Sequence, residues 1–191
     1  MRQQRTNRSD TRKAISLLLK KVSFSQTAIG ICEEEANALN EKFLLRVLEA
    51  EIANREETRR ARLLREAAFP VYKTLEIYED GSWTLPPLVS RKDLESCSFV
   101  IEKKNLVLYG PVGTGKTHLA IALGIRSCEL GFRVKFFTAA QLVVLLSEAL
   151  AAGTLEKLLR SILKAELLII DEWGYVVASR NKFLISGIFS R

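Results

Sequence analysis

The stretch GPVGTGKT, Gly110 to Thr117, sets three glycines, a lysine and a threonine at the spacing G-x-x-x-x-G-K-[ST]. Gly110, Gly113 and Gly115 let the backbone turn sharply and aim its N–H groups inward at phosphate oxygens. Pro111, Val112 and Thr114 fill the remaining places of the same cradle. A helix opening at Lys116 adds the positive end of its dipole at that point. Lys116 reaches the outer phosphates and is placed to stabilise charge during phosphoryl transfer. The Thr117 hydroxyl is a hard oxygen ligand suited to Mg²⁺. The ligand implied is a nucleoside triphosphate with its metal.

A second run, LLIIDE, Leu167 to Glu172, ends four apolar residues with two acids. This pattern puts Asp171 at the carboxyl end of a buried strand, where it can face Mg²⁺. Glu172 can orient or deprotonate an attacking water. Such a run is often only a strand end, but after a complete phosphate loop the acid pair points to hydrolysis. Other reactive residue types have plainer readings. His118 reads as a packing or helix-surface residue, Trp173 and Tyr175 as packing residues, and Cys128 as inert core. Arg55, Arg59, Arg60, Arg62 and Arg65 form either a phosphate-contacting face or a solvated surface laced by the pairs Glu51–Arg55 and Glu56–Arg60.

The elements that must position these residues fall into two textures. Residues 1–69 are charged and free of proline, and read as a helical N-terminal domain. SDTRKAISLLLKKV predicts a helix capped by Ser9 or Asp10. ALNEKFLLRVLEAEIANREETRRARLLREAAF predicts one long helix, with Phe43, Leu44, Val47, Leu48 and Ile52 at helical spacing. Pro70 ends that pattern, and residues 70–98, with Gly81, Pro86 and Pro87, read as a linker. Residues 99–191 have the texture of an α/β domain. NLVLY, VKFFT and ELLIIDE predict strands, the last apolar on both faces as in a buried parallel sheet. KTHLAIALGIRSCELG predicts a helix closed by Gly131, and AAQLVVLLSEALAAG and TLEKLLRSILKA two more.

Composition narrows the class. The 191 residues are 48% hydrophobic with a formal charge of +7, which describes a globular chain and favours an anionic partner, nucleic acid first. Cys32, Cys97 and Cys128 are far apart and His118 is the lone histidine, so no zinc site has a normal ligand spacing. Buried thiols in a reducing cytosol are the simple expectation. The basic start MRQQRTNRSDTRK lacks an apolar core behind it, so no signal peptide is expected, and no apolar run is long enough to span a bilayer.

On GPVGTGKTHLAIALG, LLIIDEWGY and FLLRVLEAEIANREETRRARLLREAAFP, followed by KTLE, the chain resembles the IstB-like and DnaC-like AAA+ ATPases. The likeness runs from about Glu41 to Tyr175; DEWGY and the arginine-rich helix lean toward IstB. The resemblance implies an α/β fold: a helical N-terminal domain followed by a P-loop NTPase domain with a RecA-like parallel sheet. It implies ATP and Mg²⁺ bound by Gly110, Gly113, Gly115, Lys116 and Thr117, with Asp171 and Glu172 as the acids of the second motif. It also implies a cytoplasmic ATPase helper of transposition, acting with a transposase on DNA, with full-length relatives forming homo-oligomers and no membrane involved. The alternatives are a DnaC-type helicase loader and a nonfunctional remnant.

The departures carry expectations of their own. Val177 stands where the family continues with proline, and ASRNKFLISGIFSR fits it poorly. In the family a later strand lies between the phosphate-loop strand and the Asp-Glu strand, and arginines for a neighbour's ATP follow it. Without these the ATPase domain is incomplete, the chain reads as a truncated copy of such a helper, and ATP hydrolysis is expected to be weak or absent.

Overall fold

The computed structural model describes residues 3–77, 84–86 and 89–173, with side-chain surroundings from residue 9 onward. Tyr175, Val177 and the run NKFLISGIFSR lie outside the described residues. The chain divides into two compact units, Met1–Arg59 and Arg60–Arg191.

The first unit is helical. Helix α1 spans Gln3–Lys21, α2 Gln26–Glu35, and α3 Ala38–Ala67. Their apolar stripes meet in a core of Ile15, Leu19, Val22, Ile29, Leu48 and Ile52. Ser9 and Asp10 lie inside α1 rather than capping it, because the preceding Gln3, Gln4 and Arg5 continue the helix and are good helix formers. Ser23, at φ 65°, closes α1, with Phe24 N–H donating to Leu19 O at 3.0 Å. Asn37 starts α3 by accepting from the N–H groups of Leu39 and Asn40 at 2.9 and 3.0 Å. Glu41 is only 2% exposed, and its carboxylate accepts from Arg12 Nε at 2.6 Å.

The second unit takes the last turns of α3. The helical pattern of the sequence runs on to residue 69, but Leu63, Leu64 and Ala67 pack with Cys128 and Val134, so the first unit closes at Arg59. A 3-10 turn at Leu75–Ile77 and short helices α4 (Arg91–Glu95) and α5 (Ser98–Ile101) precede the phosphate-loop helix α6, Lys116–Glu129. Strand β1 (Val134–Thr138), helices α7 (Ala139–Ala151) and α8 (Leu155–Ile162), and strand β2 (Leu167–Asp171) follow. The strands are parallel, in register from Val134 opposite Leu167 to Thr138 opposite Asp171. Arg133 and Glu166 pin that register, with the Glu166 carboxylate accepting from Arg133 N–H at 2.8 Å and Glu166 N–H donating to Arg133 O at 2.8 Å.

Strand periodicity sorts the core into two layers. Phe136 and Ile169 pack with Ile121 and Ile125 of α6, while Phe137, Leu168 and Ile170 pack with Leu142, Leu146 and Ile162 of α7 and α8. This is an α/β arrangement with a helix layer on each face of the strands, as the sequence predicts. One strand expectation fails. Asn105–Tyr109 is not a strand. Among the described residues no strand pairs with it and no backbone hydrogen bond reaches it from another segment. An apolar run becomes a strand only when a partner satisfies its N–H and C=O groups. Here Leu108 packs toward Leu119 and Leu123, and the rest faces solvent, with Val107 at 78% and Tyr109 at 92% exposure.

Candidate nucleotide-binding site

The loop Gly110–Thr117 forms a tight turn into α6. Gly113 and Gly115 sit at φ 85° and 83°, a left-handed region that a side chain strains, and Gly115 is the residue that opens the helix. Thr114 Oγ1 donates to Pro111 O at 2.9 Å, which closes the loop on itself. The Lys116 ammonium folds back over it, donating to Gly110 O at 2.9 Å and Pro111 O at 2.6 Å, with Thr114 Oγ1 at 3.5 Å. A cation thus sits at the mouth of a loop that leads into the N-terminus of a helix, which is the arrangement an oxyanion needs. Val112 projects into solvent, and His118 is exposed on α6, a helix-surface residue as its plainer reading has it. Thr117 lies in the first turn of α6, half-buried.

Asp171 and Glu172 come from the carboxyl end of β2. Asp171 has the same parity as Ile169, so it shares the sheet face on which α6 packs. Glu172 would point to the opposite face if the strand continued, but it adopts φ 57°, which ends the strand and re-aims the residue. Thr117 and Asp171 are both hard oxygen donors. No cluster of three or more His, Cys, Asp or Glu that could hold a metal occurs among the described residues. This donor set fits Mg²⁺, which takes one or two protein ligands and completes its shell with phosphate and water.

The family model described as IstB-like ATP-binding protein matches residues 13–185. The chain belongs to the IstB-like ATP-binding family. A candidate ATP-binding protein of insertion sequence IS5376 from Geobacillus stearothermophilus is 38% identical over 143 residues, covering 73% of this chain and 56% of the relative. Its counterpart in insertion sequence IS21 of Pseudomonas aeruginosa is 36% identical over 144 residues, covering 74% and 53%. The chain therefore spans about half the length of the curated relatives it matches.

Other features of the IstB-like chain were not visible in its motifs. Gly124 lies where α6 crosses β2, and a Cβ there would meet Ile169 Cδ1 and the Phe69 ring, each at 2.7 Å. A cleft of about 240 Å³ between the 3-10 turn, α4 and α6 is lined by charged residues including Glu76, Arg91 and Arg126. Both arginines are committed: Arg91 to Glu95 at 2.8 Å and Leu75 O at 3.3 Å, Arg126 to Glu95 O at 3.0 Å and Glu129 at 3.1 Å. The Thr74 hydroxyl first, then the backbone N–H of Glu76 itself and, more weakly, the nearby Arg126 and Arg91 hold the Glu76 carboxyl below its ordinary value. The cleft reads as a latch fastening the segment before the loop to α6.

The arginine run is exposed. Arg55 pairs with Glu51 at 2.6 Å and Arg62 with Glu66 at 3.8 Å. Glu56 pairs with Lys21 of α1 at 2.8 Å. Cys97 and Cys128 are buried as expected, whereas Cys32 is half-buried. Trp173 is 56% exposed and so lies largely outside the core. No described helix is long and apolar enough to cross a membrane.

Proposed function

We propose that this chain binds ATP with Mg²⁺ and serves as the ATP-binding helper of a DNA transposition system, acting with a transposase on target DNA. The observation that carries the nucleotide reading is the loop: Lys116 held over the carbonyls of Gly110 and Pro111, at the N-terminus of a helix packed on the face of β2 that carries Asp171. Gly110, Pro111, Val112, Gly113, Thr114, Gly115, Lys116 and Thr117 take the phosphates, Thr117 and Asp171 take the metal, and Lys116 and Glu172 are the catalytic pair. The transposition context is supported by relatives named for insertion sequences. The DNA partner is supported by the charge of +7 and the exposed arginine run of α3. Homo-oligomers and a cytoplasmic location belong to the same reading.

The test is an equilibrium titration with a fluorescent ATP analogue, with Mg²⁺ or with EDTA. The parent chain should bind in both and more tightly with Mg²⁺, and Asp171→Ala should remove the metal-dependent gain alone. A folded parent chain that binds no nucleotide refutes the reading. Steady-state ATPase beside Glu172→Gln tests the expected weak or absent hydrolysis, and robust turnover lost in Glu172→Gln would refute that expectation and assign the water-activating role.

A further inference from the structure

Helix α8 turns a basic face to solvent. Lys157, Arg160 and Lys164 recur at i, i+3 and i+7 and are exposed, the helical turn running on through the cap Leu163. Leu158, Leu159 and Ile162 hold the opposite side in the core. A solvated helix surface carries its cations matched by acids one turn away, as Arg55 with Glu51 and Arg62 with Glu66 on α3. The face of α8 departs from that pattern. Among the described residues neither Lys157 nor Lys164 has an acidic partner. Arg160 meets Glu156 only at 3.9 Å, with side chains 73% and 89% exposed, a pair that contributes little.

The basic surface continues past the helix. Glu166 N–H donates to Arg133 O at 2.8 Å, which brings the exposed Arg133 beside the turn that holds Lys164. Two residues on, Lys135 Nζ donates to Glu66 O at 2.8 Å and joins the same strand to the last turn of α3, which carries Arg65.

We propose that this face of α8, continued by Arg133, contacts the phosphate backbone of duplex DNA. The proposal rests on the reading of DNA as a partner and gives part of the contact to a helix outside the arginine run. Lys157 and Lys164 stand about 10 Å apart along the helix axis, a length over which a duplex presents roughly six phosphate charges. Ammonium groups on flexible stems meet those charges without reading bases, so the contact is independent of sequence. Helix α8 packs on the face of the strands that carries Phe137 and Ile170, and α6 with its phosphate loop on the face that carries Phe136 and Ile169. The charges of α8 can therefore be removed without touching the loop.

The experiment measures fluorescence anisotropy of a labelled duplex of mixed sequence across a salt series. It compares the parent chain, Lys157→Gln/Lys164→Gln, and Lys92→Gln/Lys103→Gln, which removes the same charge from exposed sites elsewhere on the second unit. The logarithmic salt slope should become shallower by about two in the α8 pair, about one for each single variant, and stay unchanged in the control pair. Affinity for a fluorescent ATP analogue and the thermal midpoint should not move in either. An unmoved slope in the α8 variants overturns the proposal, as does an equal fall in the control pair. A parent chain that binds no duplex at low salt overturns the DNA reading and this surface with it, and is recognised before any variant is made.

Discussion

Replacing Lys116 by alanine tests the loop most directly, and its size follows from the contacts of the ammonium group. In the free loop it donates to two neutral carbonyls, Gly110 O at 2.9 Å and Pro111 O at 2.6 Å, on a partly solvated surface. Because the ammonium is charged, each of these bonds already lies near the low end of the about 1.5–3 kcal/mol of charge-assisted bonds. On binding they are exchanged for bonds to phosphate oxygens, charged on both sides and near the upper end of that range. The difference over two bonds is at most about 3 kcal/mol, so Lys116→Ala should weaken ATP binding by up to roughly 150-fold. The surrounding loop is exposed, so the thermal midpoint should hardly move. A fluorescence titration and a melting curve on the same samples suffice. Affinity within about threefold of the parent, on a folded variant, would refute the assignment of Lys116 to the phosphates.

Arg12→Met should destabilise the first unit by about 2–3 kcal/mol in urea unfolding, less than the roughly 3–5 kcal/mol of a fully buried pair because the Arg12 side chain is 42% exposed; adding Glu41→Gln should recover much of it, and an unchanged midpoint for the single variant would discount the pair. Burial raises the Cys128 thiol to about 11. A raised thiol pKa means that the stabilisation is complete below the ordinary thiol range and is lost as pH rises toward 11, so unfolding free energy should drop between pH 9 and 11, and by less in Cys128→Ala, where only the buried Cys97 thiol is still raised. Arg59→Glu with Arg62→Glu should flatten the salt dependence of DNA binding, the logarithmic slope falling by about one for each phosphate no longer neutralised; an unchanged slope would assign these arginines to a solvated surface.

Much of this architecture was legible in the residues. The helices α3, α6, α7 and α8 and strands β1 and β2 follow from apolar period and from punctuation such as Gly131, whose φ of 93° ends the turn after α6. Helix α2 was hidden because QTAIGICEEE carries a glycine and no sustained apolar stripe; Ser25 caps it by accepting from Ala28 N–H at 3.2 Å. Asn105–Tyr109 misled for the opposite reason, since its composition suits a strand but pairing is a property of the neighbour and not of the run. The loop and acid residues were visible because their chemistry dictates residue type. Gly124 was not, because a small residue in a helix looks the same whether it faces water or the side chains of a crossing strand.

The pairing of β1 with β2 also bears on the order of folding. Residues that meet, Val134 with Leu167 and Thr138 with Asp171, are separated in the chain by both α7 and α8. The two helices can form from local contacts, starting at the capping box of Thr138 and Gln141, whereas the parallel pair must wait for the loop between its strands to close. Asp171 therefore reaches its place only in the late stage of collapse, after the helices that bracket it. Ile170→Val should accordingly speed unfolding more than it slows folding, and the reverse pattern in stopped-flow kinetics would place sheet pairing early.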